Sequence, residues 1–522
     1  MLKYGVVVIG AGNGGLAAAA VCARAGLKTL LLERHNIPGG SATSFVRGRY
    51  EFETSLHELV GDAPDGTPGP VMANMEEMGA KVRWVMEKST YRLVVPAGED
   101  EDGFINEDGV RVKIDARMPA GLEAFARKLD ELVPGSYDSC IRAFEIGTTM
   151  YDLFNYLETV EKPSLSYIAK NIPGLALIAR IGSHTVKEVL DSIGMPPKAQ
   201  GIFTTYWGYM GVPASKFDFL YYMCMMYYYV ANGAAMPKLR SHEMSLAMDR
   251  AIRDAGGDIW YNSEVTKVLM KDGKPNAVVI NGEKTVYADH FICNGFPNFV
   301  YSDLFEKNDI DKKFYSMANA RSISCSLTTV YLGLNITREQ LGMHDYSIFI
   351  APDEDSDKQY QAALGGFGSG FIVMNCLNTA IPDCTPEGTC QLFLTTLTYG
   401  DVMRGVSPRD YRKYKNEVAR DMIETCEKAL GVSIMPHIEE IEIALPPTFS
   451  RYLNTPLGTP YGYMLDMWDS MLPRRFNYEK EQPFDNFLFV GASQERGDGY
   501  GSAYYSGMKA AGETIKKIRE GK

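Results

Sequence analysis

Short apolar runs separated by glycine-rich or polar turns mark the beginning of the chain. Residues 6–9 form a fully apolar run, residues 14–25 are rich in small side chains, and residues 29–33 form a second, mainly apolar run. Runs of this length between turn residues are typical of buried strands, and the segment between them has the length of a helix. The pattern predicts that the chain begins with a β-α-β unit.

The middle of the chain changes from a helical to a strand-like pattern. Residues 122–233 are rich in Tyr, Met and Phe and are predicted to be mainly helical. Beyond residue 256 the apolar runs shorten, and Asp272-Gly273 and Asn281-Gly282 are strong hairpin signals. The predicted strands are 259–261, 265–271, 277–280, 290–293, 326–334, 371–376, 392–398 and 487–490, and the later predicted helices are 409–430 and about 502–518.

A β-α-β unit begins the chain and a β-turn-α unit ends it. This arrangement predicts an α/β fold (α+β overall) in which one nucleotide-binding domain is assembled from discontinuous segments. We assign residues 1–75, 238–300 and 478–522 to this domain. Residues 76–237 and 301–477 form an interleaved substrate domain of β-sheet plus helices, with a helical lid at about 120–235.

A glycine motif follows the first predicted strand. Residues 10–15 read Gly-Ala-Gly-Asn-Gly-Gly, which fits G-x-G-x-x-G, and they start a small-residue helix. In such a motif Gly10 allows the tight turn, Gly12 lets the backbone approach a pyrophosphate, and Gly15 lets helix and strand pack closely. The helix N-terminus favours phosphate, and Glu33, which ends the second strand, is placed to accept hydrogen bonds from ribose hydroxyls. The motif therefore predicts dinucleotide binding.

A second glycine turn distinguishes FAD from NAD. Gly39-Gly40-Ser41 lies just after the second strand and resembles the extended fingerprint of glutathione-reductase-like flavoproteins, whose second glycine turn contacts the FAD pyrophosphate. No second G-x-G-x-x-G follows a strand, and the glycine run 365–370 lacks the spacing. We therefore expect FAD and no dedicated NAD(P) domain.

Four blocks together resemble the phytoene desaturase, carotenoid isomerase and retinol saturase flavoproteins. They cover nearly the whole chain in order, and Ser41 stands where many desaturases carry Arg. The resemblance is specific for the fold and FAD and less so for the reaction. The blocks are residues 6–52, with Ile-Pro-Gly-Gly-Ser; residues 255–294, with Ala-Gly-Gly-Asp-Ile; residues 446–462, with Pro-Pro-Thr; and residues 486–511, with Val-Gly-Ala.

The resemblance and the glycine motif together imply a set of FAD-binding residues. Because no Cys lies in the closing block, the covalent Cys–flavin link of some amine oxidases is excluded there, and non-covalent FAD is expected. The set is Gly10, Gly12, Asn13, Gly14, Gly15, Glu33, Arg34, Gly39, Gly40, Ser41, Val265, Asn294, Gly491, Ala492, Gly499, Tyr500 and Gly501.

The chain departs from the family pattern at three places that, by the resemblance, face the flavin or its substrate side. Phe-Asp-x-Gly is replaced by residues 52–58, a Gly-Gly pair by residues 237–242, and His-Pro-Gly by residues 495–499. New ionisable groups there could bind a polar head group or move protons. The catalytic candidates are His57, Glu58, Arg240, His242, Glu495 and Arg496.

Each candidate has a structural alternative. His57 and Glu58 could form a local hydrogen-bonded pair or lie on the surface. Residues 240–242 could begin a helix with Ser241 as its cap and Met244 and Leu246 packed inward. Glu495 and Arg496 could pair with each other across a turn.

The run 221–229, Tyr-Tyr-Met-Cys-Met-Met-Tyr-Tyr-Tyr, also has two interpretations. Met and Tyr make adaptable linings, so the run could form the wall of an elongated apolar tunnel. The alternative is a buried core helix. Both hold if the helix separates the core from the tunnel.

Composition excludes several classes of protein. With 53 Lys and Arg against 65 Asp and Glu, the net charge is −12, and no basic run indicates nucleic-acid binding. The sequence contains no stretch of 18 consecutive apolar residues, so a membrane-spanning helix is not expected. The nine cysteines form no C-x-x-C pair, and the N-terminus shows no leader; both favour a cytoplasmic protein with reduced thiols. An oily substrate would favour peripheral membrane contact, although no basic amphipathic helix supports it.

We therefore expect an FAD-dependent oxidoreductase that acts on carbon–carbon bonds, by desaturation or saturation, of a hydrophobic unsaturated substrate such as a polyene, isoprenoid or fatty acid. Three alternatives stay open. They are a redox-neutral double-bond isomerase that uses reduced FAD, an amine oxidase-like flavoenzyme, and a non-catalytic flavin- or lipid-binding protein.

Overall fold

The computed structural model describes residues 2–87, 89–159 and 164–521. Its strands are β1 Lys3–Ile9, β2 Thr29–Leu32, β3 Ser44–Arg47, β4 Tyr50–Glu53, β5 Leu59–Val60, β6 Trp84–Glu87, β7 Ser89–Pro96, β8 Phe104–Ile105, β9 Arg111–Pro119, β10 Ala234–Pro237, β11 Asp258–Trp260, β12 Val265–Lys271, β13 Lys274–Ile280, β14 Lys284–Cys293, β15 Ser326–Leu334, β16 Ser347–Ile350, β17 Ile372–Cys376, β18 Cys390–Thr398, β19 Ile438–Ala444 and β20 Phe487–Phe489. Its helices are α1 Asn13–Arg24, α2 Pro70–Glu77, α3 Leu122–Leu132, α4 Tyr137–Thr159, α5 Leu165–Lys170, α6 Ile172–Ile181, α7 Val186–Ser192, α8 Pro197–Phe203, α9 Trp207–Met210, α10 Phe219–Asn232, α11 Arg240–Asp254, α12 Pro297–Phe299, α13 Lys312–Ala320, α14 Arg338–Leu341, α15 Ser356–Leu364, α16 Leu377–Ala380, α17 Tyr411–Leu430, α18 Pro446–Leu453, α19 Met471–Glu481 and α20 Tyr500–Arg519.

A seven-stranded sheet gathers the two ends of the chain. Its strands follow the order β11-β2-β1-β14-β13-β12, and β20 also pairs with β14. β11, β2, β1, β14 and β20 are parallel, whereas β12, β13 and β14 form antiparallel hairpins. Asp272, Gly273, Asn281 and Gly282 all have positive φ, which confirms both predicted hairpin turns.

An eight-stranded, mostly antiparallel sheet occupies the second half of the fold, in the order β19-β15-β18-β17-β16-β7-β9-β8. One face packs against the helical region from α3 to α10, around buried aromatic side chains such as Trp207 and Phe349. The other face packs against α17. The helical lid prediction also covers residues 160–163, which lie outside the described residues.

Each of the two large sheets draws its strands from one of the two sets of segments that we assigned to separate domains from the sequence. All strands of the seven-stranded sheet lie within residues 1–75, 238–300 and 478–522, and all strands of the eight-stranded sheet lie within the remaining segments. A small sheet, β5-β10-β6, connects the two parts.

Among the described residues, no helix is long and apolar enough to cross a membrane. All nine cysteines are free, and seven of them are buried. In the same part of the chain no cluster of His, Cys, Asp or Glu could hold a metal ion.

Candidate active site

The first glycine turn connects β1 to α1 at the carboxyl edge of the parallel strands. Gly10 has φ of 90°, and a Cβ atom at Gly15 would overlap the carbonyl oxygen of Gly10, so helix and strand pack as closely as the motif predicted. No side chain caps the start of α1, and its first turn carries no acidic residue. The free N–H groups and positive end of the helix dipole therefore favour an anion such as pyrophosphate.

The second glycine turn packs directly on the first. The N–H of Gly39 donates to the carbonyl of Ala11 at 2.8 Å, and a Cβ atom at Gly40 would lie 3.3 Å from the Cα of Gly12. Both Gly39 and Gly40 have positive φ. Glycine is required here because a side chain would fill the space between the two turns. The two turns therefore approach each other closely at the backbone, and the cavity beside them fits a pyrophosphate.

Asn294 connects the glycine turn to the closing segment. It follows β14, and its N–H donates to the carbonyl of Ile9 at 2.8 Å. Cβ atoms at Gly12, Gly14 or Gly491 would each collide with the Asn294 side chain. The Asn294 side chain thus lies between the ends of β1, β14 and β20. Predicted FAD-binding residues from distant parts of the sequence are therefore neighbours here.

Glu33 lies directly after β2 and is buried. Its Oε2 accepts from the N–H of Ala11 at 2.7 Å, and its Oε1 accepts from the N–H of His35 at 2.8 Å. The carboxylate lines the cavity next to the glycine turn, where its remaining lone pairs can accept from ribose hydroxyls. Arg34 also lines the cavity, and its guanidinium donates to the carbonyls of Arg451 and Tyr452.

A cavity of about 1040 Å³ connects the glycine turns with an aromatic wall. Of the predicted FAD-binding residues, all except Gly15 line it, and Gly15 acts through packing. Of the catalytic candidates, His57, Glu58, Glu495 and Arg496 line it. Arg240 and His242 do not.

Helix α10 is the aromatic wall of this cavity. Cys224, Met225 and Tyr228 line the cavity, whereas Tyr222 and Met226 are buried in the core on the other side. Both interpretations of the Tyr- and Met-rich run are therefore correct, because the helix separates core from cavity.

Glu53, which the sequence analysis did not select, positions the loop that carries His57 and Glu58. Its carboxylate accepts from the N–H groups of Thr54 at 3.0 Å, Ser55 at 3.3 Å and Leu56 at 3.1 Å. It also accepts from the N–H and hydroxyl of Ser241, at 2.8 and 2.6 Å. Burial raises the pKa of Glu53, and these hydrogen bonds act in the opposite direction.

Glu58 is a buried carboxyl with one oxygen engaged and one free. Its Oε1 accepts from the hydroxyls of Tyr206 at 3.0 Å and Tyr209 at 3.1 Å, while Oε2 has no partner among the described residues. Burial raises the pKa of Glu58 to about 8, against the lowering effect of the two tyrosines. At pH 7 the group is mainly protonated and can donate a proton.

His57 lies beside it, with its ring 5.5 Å from the rings of Tyr209 and Phe393. Burial lowers the pKa of His57 to about 4, so the imidazole is neutral at pH 7. No hydrogen bond joins His57 to Glu58, both of which are described, so the local pair considered from the sequence is not formed.

The structure corrects the interpretation of residues 240–246. Arg240 is buried away from the cavity, where its guanidinium donates to Glu51 at 3.0 Å and to the carbonyl of Cys384 at 2.6 Å. His242 contacts Thr43 at 3.3 Å. Ser241 does not cap α11 with its side chain, because Glu53 satisfies the helix start instead. Met244 is buried as expected, but Leu246 is 46% exposed.

Glu495 and Arg496 both line the cavity, and each contacts a residue of α20. Glu495 is buried and forms an ion pair with Lys509 of α20. Arg496 lies over the ring of Tyr505 at 3.3 Å. Burial lowers the pKa of Arg496, and the interaction with Tyr505 acts in the opposite direction.

The fold matches that of solved oxidoreductase structures and includes a dinucleotide-binding domain. Residues 8–65 match the model of the NAD(P)-binding Rossmann-like domain. Over 98% of its length the chain superimposes on 99% of an oxidoreductase from Methanosarcina mazei, with a TM-score of 0.64 and 16% identity. A putrescine oxidase bound to putrescine gives a TM-score of 0.63 at 15% identity, with 99% of each chain covered. Likeness at this level of identity establishes the fold.

Sequence comparison finds three kinds of relative. The chain is 22% identical to the chloroplastic prolycopene isomerase of Daucus carota, over 98% of this chain and 79% of the relative. It is 22% identical to the all-trans-retinol 13,14-reductase of Danio rerio, over 87% and 77%. It is 23% identical to the phytoene desaturase of Neurospora crassa, over 98% and 84%. These matches confirm the resemblance to the phytoene desaturase, carotenoid isomerase and retinol saturase flavoproteins.

Proposed function

We propose that this chain is an FAD-dependent enzyme that adds or removes hydrogen at a carbon–carbon double bond of a hydrophobic, unsaturated substrate. The observation that carries the proposal is that one cavity joins the two glycine turns to the aromatic wall of α10. Relatives named for prolycopene, all-trans-retinol and phytoene support the substrate class.

The residues present fit FAD held without a covalent bond. The two glycine turns would hold the pyrophosphate, Glu33 the ribose, and the start of β12 at Val265 the adenine end. No Cys lies in the closing segment 486–511. Bound FAD supplies hydride exchange with one carbon of the double bond.

Glu58 is the residue placed to handle the proton that accompanies hydride exchange. In saturation, the O–H bond of the protonated carboxyl breaks and a C–H bond forms at the carbon next to the one that receives hydride. The carboxylate then regains a proton from water. In desaturation the carboxylate form of the same group accepts the proton as a C–H bond of the substrate breaks, and it then releases that proton to water. The free Oε2 and the raised pKa support this role.

Redox-neutral isomerisation is the second candidate. Two features favour it: Ser41 occupies the isomerase-like position in the second glycine turn, and a prolycopene isomerase matches over 98% of the chain. The product would have the mass of the substrate and would form only with reduced flavin.

One anaerobic experiment separates these reactions. Enzyme with oxidised or chemically reduced flavin is mixed with a panel of polyenes and unsaturated fatty acids, and products are analysed by mass. A product that has lost two hydrogens with oxidised enzyme indicates desaturation, and one that has gained two with reduced enzyme indicates saturation. A new product with the mass of the substrate indicates isomerisation. If no combination of flavin state and compound gives a product, the proposal is overturned.

The variant Glu58→Gln tests the proton role in the same assay. It keeps an oxygen for Tyr206 and Tyr209 but cannot donate a proton at neutral pH, so kcat should fall by about 10²–10⁴-fold while the FAD content is retained. His242→Gln, outside the cavity, is the control that should keep wild-type kcat. An unchanged kcat in Glu58→Gln would contradict the assignment.

A further inference from the structure

A second buried carboxyl of the cavity has no role in the account given so far. Asp498 lies in the closing segment between Gly497 and Gly499, both of which have positive φ. It is 6% exposed and lines the cavity. The flanking glycines permit this backbone conformation, which other residues rarely adopt.

One carboxylate oxygen of Asp498, Oδ1, is buried and unsatisfied in the described part of the chain. A backbone hydrogen bond of Asp498 and the nearby guanidinium of Arg474 both lower the pKa of Asp498. The Nη atoms of Arg474 donate to Asp469 and to backbone carbonyls, and its Nε has no partner among the described residues. The Tyr221 hydroxyl donates to the carbonyl of Arg496. Burial is the larger effect and raises the pKa of Asp498 to about 7.

The Asp498 side chain does not cap the helix that follows it. Asp498 directly precedes Gly499, the N-cap of the 20-residue helix α20, and no side chain caps that helix. Asp is a preferred residue at helix starts because its carboxylate accepts from free N–H groups. Its carboxyl instead lies at the cavity, unsatisfied, which costs free energy unless a ligand supplies a donor.

The same situation occurs at Glu58, on a separate segment of the cavity wall. Its Oε2 is also buried without a partner among the described residues. The two segments contact each other, because the hydroxyls of Ser55 and Tyr500 lie 3.3 Å apart. The Tyr500 hydroxyl also donates to the carbonyl of Ser41 at 3.1 Å. A plain hydrocarbon would leave both carboxyl groups unsatisfied.

We propose that the substrate carries a hydrogen-bond-donating head group, a hydroxyl or an ammonium, and that Asp498 is the residue that binds it. This inference rests on the proposed function for the unsaturated part of the substrate. Sites built to bind a polar group discriminate strongly against analogues without it, because their own polar atoms are then left unpaired. Hydrocarbon polyenes are therefore poor ligands of this cavity.

Binding to the FAD-loaded enzyme tests the proposal without turnover. Three polyenes of equal length, ending in a primary hydroxyl, a primary ammonium or a methyl group, are titrated anaerobically while the polyene absorbance is followed. The wild type should bind one of the two polar compounds about 10–100-fold more tightly than the methyl compound. Equal affinity for all three would overturn the proposal.

Variants identify the residue. Asp498→Leu should lose the preference and bind the methyl compound more tightly, because the unpaired carboxyl is gone. Asp498→Asn keeps the shape and a hydrogen-bond acceptor, so it should still bind the hydroxyl compound tightly but bind the ammonium compound weakly. It therefore separates the two head groups. It also replaces Asp498→Leu if that variant fails to bind FAD. Asp303→Asn, an exposed acid of the same cavity, should behave as the wild type. A preference that survives both Asp498 substitutions would overturn the assignment.

The outcome is separable from that of the proposed function. If the wild type shows the head-group preference but converts none of the compounds, the reaction proposed above fails and the binding role of Asp498 stands. If it converts the methyl compound as readily as the others, the reaction stands and the head-group inference fails.

Discussion

At the residue scale, the chemistry of the cavity depends on ionisable groups that are uncharged at neutral pH. Burial raises the pKa of Glu58 to about 8 and lowers the pKa of His57 to about 4. Between these values neither group carries a full charge, which suits an apolar substrate because no ion needs to be desolvated when it binds.

The pKa of Glu58 makes stability depend on pH. The carboxyl is protonated in the folded state up to about pH 8 but ionises above about pH 4.5 when the chain unfolds, so the unfolded state binds fewer protons in this window. The wild type should therefore lose stability relative to Glu58→Gln as the pH rises from 5 to 8, by up to about 1.4 kcal/mol per pH unit. Melting temperatures of both proteins across this range check it. A constant difference would contradict the raised pKa.

Sequence reasoning identified some site residues and could not identify others. His57 and Glu58 were found because they interrupt a family pattern. Arg240 was selected for the same reason, yet the fold places it in an internal ion pair. Glu53 and Tyr206 were missed, because a carboxylate that organises a loop or a tyrosine that holds another side chain leaves no local signal. The contact of Tyr206 with Glu58 and that of Glu53 with Ser241 each join residues more than 140 positions apart.

At the element scale, the packing of the first helix on the last holds the cofactor site together. Gly507 of α20 lies directly against Gly14 and Ala17 of α1, and a Cβ atom there would overlap the carbonyl oxygen of Gly14. The start of α20, at Tyr500 and Gly501, lines the cavity. The glycine turn and the closing segment are thereby fixed relative to each other.

Substituting two glycines of α20 tests this packing. Gly507→Ala should push α20 away from α1 and weaken FAD binding by at least about tenfold, because overpacking typically costs about 1–3 kcal/mol. Gly512→Ala, on the same helix with open space around its Cβ position, should keep FAD affinity and gain up to about 1 kcal/mol in stability. FAD titration of the apoproteins measures both. Equal affinities would show that this contact does not shape the site.

Helix α10 allows a second matched comparison, since adjacent residues lie on opposite sides of the wall. Met225→Trp fills the cavity and should raise KM for long substrates about tenfold or more without loss of FAD. Met226→Ala, in the core, should instead lower the free energy of unfolding by about 2–5 kcal/mol. Substrate kinetics and denaturation of the two variants check the prediction. The same effect from both would mean that α10 is core on every side.

At the scale of the whole molecule, distant segments were predicted to form one domain, and the strands of the seven-stranded sheet come from those segments. The sequence could predict individual strands and glycine turns because both have local patterns. It could not predict the eight-stranded order or the small β5-β10-β6 sheet, since pairing between remote strands depends on tertiary packing.

The central claim is that this molecule binds FAD, and the most direct test is the visible absorbance of the purified protein before and after denaturation. We predict a flavin spectrum of about one FAD per chain that passes entirely into the supernatant when the protein is precipitated. Flavin that stays with the precipitate would contradict non-covalent binding. A colourless protein that also fails to take up added FAD would contradict the claim itself.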